Sequence, residues 1–327
     1  MALTLALSSL LALTGCAAIT DRIADRKEAR AAISFPPGGQ LIDVGGGRQV
    51  HAVVGGRGPD LVLIHGASGN TRDFTFDFAQ RLADRYRVIV LDRPGLGWSD
   101  RADPRYNEAF LADAESPREQ ARMLKAATDA LGVEDPIVLG HSYGGAVALA
   151  WALEFPDHPS ALVIVSGATN PWPGDLGPLY KINGSSLGGA VIPPLVAAYA
   201  PRDRLLPGIV EAIFQPNPVP EGYLDFVGAD LSIRRSTLRA NARQVNTLKA
   251  DVVEMSPLYP TIDMPVEILH GAEDPIVPPE IHSVRLYEQI EGAQLRLIDG
   301  VGHMPHHVAP DEVIAAIDRA ASRAGLR

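Results

Sequence analysis

The stretch that most constrains this chain runs from Pro136-Ile137-Val138-Leu139 through Gly140-His141-Ser142-Tyr143-Gly144 to Gly145–Leu153. The first four residues are an apolar, partly β-branched run, the pattern of a buried strand. The last nine are apolar and read as a buried helix. A serine between two glycines at a strand-to-helix junction predicts a sharp turn that holds the Ser142 hydroxyl clear of both elements. Groups packed against such a turn must lack side chains, which accounts for Gly140 and Gly144. The turn also opens a helix, so the N–H of Tyr143 points toward negative charge developing beside Ser142. Ser142 is therefore a candidate nucleophile.

The remaining pattern supplies a sheet for that turn. Apolar runs at 61–64, 86–91, 161–165, 266–269 and 295–298 read as further strands, and 41–44 with 48–54 as a hairpin across Gly45-Gly46-Gly47. Ser116-Pro117-Arg118-Glu119 opens a helix with an N-cap, a proline and a glutamate three residues on. Asp73 to Asp84 reads as a helix with Phe74, Phe78 and Leu82 near one face, and Asp311 to Ala324 as the last helix. Strands alternating with helices predict an α/β fold, a mostly parallel central sheet with helices on both faces. Between Gly167 and Pro265 the pattern turns rich in proline and glycine, with helical pieces at 190–199 and 237–248. So long a stretch inside a sheet protein is not a loop. It is expected to be a helical cap, 168–264, inserted after the sixth strand, with 36–167 and 265–327 forming the core.

A formal net charge of −10 argues against nucleic acid as a partner, because phosphate binding needs clustered lysine and arginine. The single cysteine, Cys16, excludes an intrachain disulfide framework. Met1 to Ala18 carries no charged side chain, and Leu13-Thr14-Gly15-Cys16 within it resembles a bacterial lipobox. That resemblance implies cleavage before Cys16, lipidation of its thiol, and a membrane-anchored protein facing the periplasm. Two features point the other way. No lysine or arginine precedes the apolar run, while Arg22, Arg26, Lys27 and Arg30 follow it. The alternatives are an uncleaved N-terminal anchor and a soluble cytoplasmic protein. Residues 1–35 are expected to be signal, anchor and tether, outside the fold.

A serine needs a base, and the base an orienting carboxylate. Two later strand ends offer them, Asp274 in His270-Gly271-Ala272-Glu273-Asp274 and His303 in Gly300-Val301-Gly302-His303. All three groups would then lie beyond the C-terminal ends of parallel strands, in the order Ser, Asp, His of this motif. Glu273 and Asp175 are the rival acids. His306 and His307 beside His303 raise a metal site, but two further ligands at suitable spacing are not evident. His65, His141 and His270 also adjoin strand ends and read as neutral packing groups. Asp92 and Arg93 read as a structural pair holding the loop after their strand.

Taken together, His65-Gly66, Asp92-Arg93-Pro94-Gly95-x-Gly97-x-Ser99, Gly140-His141-Ser142-Tyr143-Gly144-Gly145, Gly271-x-x-Asp274 and Gly302-His303 resemble the α/β-hydrolase superfamily over roughly residues 40 to 320. The likeness is nearest to its capped branch of serine esterases, carbon–carbon bond hydrolases, haloperoxidase-like enzymes and epoxide hydrolases. It implies a second oxyanion donor at the N–H of Ala67, beside that of Tyr143, and no metal or organic cofactor. Epoxide hydrolases and haloalkane dehalogenases carry an aspartate nucleophile, whereas position 142 is serine. The carbon–carbon hydrolases have a more glycine-rich loop than Ala67-Ser68-Gly69-Asn70. The expectation is hydrolysis of a small-molecule carboxylic ester or lactone. Carbon–carbon bond hydrolysis, acyl transfer or perhydrolysis on the same residues, and a non-catalytic lipid-anchored binding protein are the alternatives.

Overall fold

The computed structural model describes residues 2–327, and side chains for 15–178 and 180–327. Eight strands form one sheet: β1 (Gln40–Asp43), β2 (Gln49–Gly56), β3 (Asp60–Ile64), β4 (Arg87–Leu91), β5 (Ile137–His141), β6 (Ala161–Val165), β7 (Val266–Gly271) and β8 (Gln294–Ile298). Their order is β1-β2-β4-β3-β5-β6-β7-β8. β2 is antiparallel to both neighbours, and β4 to β8 with β3 are parallel. The mostly parallel sheet expected from the sequence is present.

The continuous apolar runs have a direct cause. Alternate residues of a strand face opposite sides, and here both sides are covered. Val62, Ile64, Val138, Leu162, Ile164 and Ile268 enter one core, against α4 (Pro117–Ala130) and α5 (Tyr143–Glu154). Leu61, Leu63, Leu139, Val163, Val165 and Leu269 enter the other, with Phe78 and Leu82 of α3 (Phe78–Leu82) and Ile317 of α14 (Pro310–Arg323). α4 starts at the expected capping box, in which Ser116 Oγ accepts from the Glu119 N–H and the Glu119 carboxylate from the Ser116 N–H.

Two expectations need correction. The helix expected over 73–84 is two short ones, α2 (Arg72–Thr75) and α3, broken at Phe76-Asp77, although Phe74, Phe78 and Leu82 are all buried. The stretch expected to stand outside the fold ends in α1 (Ala2–Ser34), whose later turns pack on it. Ala24 and Ala31 are buried, and Arg235 pairs with Asp21, Asp25 and Glu28. Met1 lies outside the described residues, as do the side chains of 2–14 on which the export-signal and anchor expectations rest; Cys16 is exposed. Among the described side chains, no helix is long and apolar enough to cross a membrane.

From β6 to β7 the regular structure is helical: α6 (Pro178–Gly184), α7 (Ser186–Tyr199), α8 (Arg202–Phe214), α9 (Tyr223–Val227), α10 (Ala229–Ser232), α11 (Arg235–Met255) and a final 3-10 turn over Ser256–Thr261. This segment touches the loops after three parallel strands. Asn241 and Ser232 bond Ser68 after β3, Gln244 bonds Pro94 after β4, and Asn217 bonds Gly300 and Gly302 after β8.

Candidate active site

Ser142 stands between β5 and α5 with φ 54° and ψ −120°, a conformation that L residues avoid. Its glycine neighbours explain how the turn closes. A Cβ on Gly140 would come within 2.1 Å of the Gly144 carbonyl oxygen, and one on Gly144 within 2.2 Å of the Ile64 oxygen. The elbow is thus wedged against the end of β3. Gly66, just beyond β3, is a third backbone wall, since its Cβ would lie 3.0 Å from Ser142 Cβ and 3.4 Å from Ser142 Oγ. The Tyr143 N–H is the first of α5 and has no acceptor within its helix. Among the described residues, no turn or side chain takes up the Ala67 N–H either.

Asp274 and His303 meet from the loops after β7 and β8. His303 Nδ1 donates to Asp274 Oδ2 over 2.7 Å. The same carboxylate accepts from His270 Nε2 at 3.0 Å and, through Oδ1, from the N–H groups of Ile276 and Val277 at 2.8 and 3.0 Å. Burial alone would raise the Asp274 pKa. The hydrogen bonds from the two imidazoles outweigh it and hold the carboxylate well below its usual range. Since Nδ1 of His303 carries the proton, Nε2 presents a lone pair. His141, the residue before Ser142, donates from Nε2 to the His303 carbonyl at 2.9 Å and so ties the base loop to the elbow. Among the described residues, no hydrogen bond joins Ser142 Oγ to His303. The rival acids are elsewhere: Glu273 is exposed, and Asp175 is exposed and paired with Lys181.

His65, His141 and His270 are buried and hydrogen-bonded, and His65 and His141 are kept neutral chiefly by burial, with the His65 pKa lowered to about 4. The Asp92–Arg93 pair does not form. Asp92 bonds His51 Nδ1 at 2.7 Å and the N–H groups of Thr71 and Trp98. Consecutive residues leaving a strand project to opposite faces, so Arg93 turns the other way, onto the ring of Tyr143 at 4.1 Å.

His306 and His307, on the short α13 (Pro305–Val308), converge on an acid that sequence reasoning missed. Asp73 of α2 accepts from His306 Nε2 at 3.2 Å, His307 Nε2 at 2.9 Å and the Tyr223 hydroxyl of α9 at 2.8 Å. The three groups are close enough to share a metal ion. However, a ligating histidine gives its other ring N–H to an acceptor, and His306 Nδ1 has none. Among the described residues these three hydrogen bonds hold the cluster, and His306 Nδ1 is left without a partner. A surface groove of about 560 Å³, lined by Lys125, Phe155 and His158 among others, lies at the opposite ends of β5 and α5 from Ser142.

A mostly parallel sheet with a strained serine on its central strand-to-helix turn is the architecture of an α/β hydrolase. The chain belongs to the alpha/beta hydrolase family, which it matches over residues 61–316. It is similar to an uncharacterized protein of Mycobacterium tuberculosis, 26% identical over 87% of this chain and 81% of that one. It is also similar to 2-hydroxy-6-oxo-6-phenylhexa-2,4-dienoate hydrolase of Burkholderia cepacia, 24% identical over 78% of this chain and 85% of the relative. Among solved structures it resembles an esterase, RhEst1, from Rhodococcus sp. ECU1013, with a TM-score of 0.65 and 24% identity over 86% of this chain and 98% of that one. Membership of this family supports a hydrolase, and the solved structures share its fold.

Proposed function

We propose that the protein hydrolyses a carboxylic ester or lactone of a small molecule through an acyl-enzyme on Ser142. The observation that carries this reading is the 2.7 Å bond from His303 to a buried, ionised Asp274, on a loop tied through His141 to the serine elbow. In this reading the hydroxyl of Ser142 attacks the carbonyl carbon and its proton passes to Nε2 of His303. Asp274 keeps the imidazole in the required tautomer and stabilises the imidazolium. The N–H groups of Ala67 and Tyr143 receive the oxyanion, each contributing about 3 kcal/mol of transition-state stabilisation. His303 then protonates the leaving alcohol, and water activated by the same imidazole releases the acid. These steps use this chain's own residues.

The test is hydrolysis of nitrophenyl esters of increasing acyl length by the full chain, beside Ser142→Ala. Turnover that disappears in the variant is expected, and turnover that survives it overturns the reading. A second reading, carbon–carbon bond hydrolysis, is favoured by the sequence likeness to the Burkholderia hydrolase. Cleavage of 2-hydroxy-6-oxo-6-phenylhexa-2,4-dienoate with no ester turnover would select it. Lipidation at Cys16 is part of the proposal for location: Cys16→Ser is expected to leave the membrane fraction, and retention there overturns it.

A further inference from the structure

Among the described residues Arg93 forms no ion pair, and Glu115, which is paired with Arg101, acts on it only through space. The Arg93 side chain is fully buried, and its guanidinium bonds only neutral groups: Gln120 Oε1 at 2.9 Å, Gln244 Oε1 at 3.1 Å and the Gly66 carbonyl at 3.2 Å. Nε has no partner. Burial lowers its pKa to about 10, which leaves it charged at neutral pH. A charge withdrawn from water and held in no ion pair is a poor way to stabilise a fold. Its surroundings give it another use.

The Gly66 carbonyl is one end of the peptide unit whose other end is the Ala67 N–H. That oxygen accepts three times, from Arg93 Nη2, from His65 Nδ1 at 2.9 Å and, more weakly, from the Gly69 N–H at 3.4 Å. The His65 tautomer is determined locally. Its Nε2 accepts the backbone N–H of Arg93 at 3.0 Å, so the proton is on Nδ1. Two side-chain donors, one of them charged, therefore join the turn N–H of Gly69 in holding the carbonyl end of this peptide and draw electron density from its N–H. Gly66 abuts Ser142, and the guanidinium also stacks on Tyr143, whose own N–H opens α5. The cation thus lies behind both oxyanion donors. The next residue is clamped as well: the Ser68 N–H donates to Asn241 Oδ1 at 2.7 Å, and Ser232 Oγ donates to the Ser68 carbonyl at 2.6 Å.

We propose that Arg93, together with His65, is a positioning residue that aims and polarises the Gly66–Ala67 peptide as an oxyanion donor and sets a fixed positive charge behind the transition state. This rests on the serine-hydrolase reading above. The role is exercised through the peptide, without contact to substrate.

The test uses the full chain and a fluorophosphonate, which needs no knowledge of the natural substrate. In that reaction a bond forms from Ser142 Oγ to phosphorus, the P–F bond breaks, fluoride leaves and the serine proton passes to His303. Arg93→Met is expected to slow labelling roughly 10- to 100-fold, somewhat less than outright loss of an oxyanion donor. On nitrophenyl esters kcat should fall by the same factor with KM little changed. Arg93→Lys restores charge without the planar fork and is expected to recover most of the rate. Because a buried lysine titrates below its usual range, the Arg93→Lys rate relative to wild type should fall as pH rises toward 10. A folded Arg93→Met that labels at the wild-type rate overturns the proposal. So does a lysine variant whose ratio to wild type is flat with pH, and this second readout stands even where the methionine variant does not fold. A wild-type protein that neither labels at Ser142 nor hydrolyses esters overturns the serine-hydrolase reading itself, a result distinct from labelling that ignores position 93.

Discussion

Two buried carboxylates, Asp274 and Asp73, each hold two imidazoles. Asp274 takes His303 at 2.7 Å and His270 at 3.0 Å, and Asp73 takes His307 at 2.9 Å and His306 at 3.2 Å. Both carboxylates are held ionised against burial by these partners. The difference lies in what surrounds the outer edge of each histidine. His303 leads back to the serine elbow through its own carbonyl. His306 and His307 are walled in by Phe74, Phe78, Phe214 and Tyr223, with ring centroids 4.9 to 6.0 Å away. An acid–imidazole couple is therefore common ground for catalysis and for architecture. The couple near Ser142 is the one proposed above to take the serine's proton, whereas the other fastens α2, α13 and α9 together.

Exchanging the acids for amides should separate the two most sharply. Asp274→Asn is expected to lower kcat about 10⁴-fold, the cost of presenting the wrong tautomer, and to lower stability by about 1–3 kcal/mol, because a buried imidazole N–H then faces an amide donor. Asp73→Asn should cost stability alike but spare catalysis. Activity per folded molecule should stay within about tenfold, and stability should drop by about 1–3 kcal/mol, because one buried imidazole N–H then faces an amide donor. Parallel kinetics and denaturant melts check both, and equal activity losses would break the distinction.

Acid should expose the architectural couple next. Burial lowers the pKa of His65, His282 and His306 to about 4, against about 6.5 in the unfolded chain. Between those values the unfolded chain binds more protons, so stability present above pH 6.5 is lost as pH falls toward 4. Each histidine contributes a slope of at most about 1.4 kcal/mol per pH unit. His306→Phe, among Phe74 and Phe78, should flatten the slope by up to one such share in melts across pH 4 to 7. An unchanged slope would remove His306 from the account. The smallest effect is expected from Tyr223→Phe, which deletes the one hydroxyl reaching Asp73 from α9. It should cost about 1 kcal/mol and speed proteolysis within 215–230, with ester turnover unaltered.

How far each carboxylate could be read in advance follows from the forces that place it. The sheet was legible because strands covered on both faces must be apolar at every position, as 61–64 and 161–165 are. Asp274 and His303 were singled out because each follows a strand-like run and continues the order of the Ser142 motif, although β8 before His303 is a mostly exposed edge strand. Asp73 carried no signal. It belongs to a four-residue helix, and its partners lie 233 and 234 positions away, brought in by the fold alone. The same holds for Arg235 and the acids of α1, some 207 to 214 positions apart. Arg93 was visible within a motif but misassigned, because adjacent opposite charges suggest a pair while strand geometry sends them apart.

The glycine wall around Ser142 bears on how such a chain can diversify. At Gly66, Gly140 and Gly144 the reacting group is bounded by peptide planes, and any added carbon would collide with backbone or with the serine. No side chain there can be exchanged to adjust which molecule is accepted. On the function proposed above, changes in preference would fall to the helices between β6 and β7, which meet the loops around Ser142 through polar tethers such as Asn241 and Asn217. A lineage built on this plan can rewrite its diet while its cutting edge stays untouched.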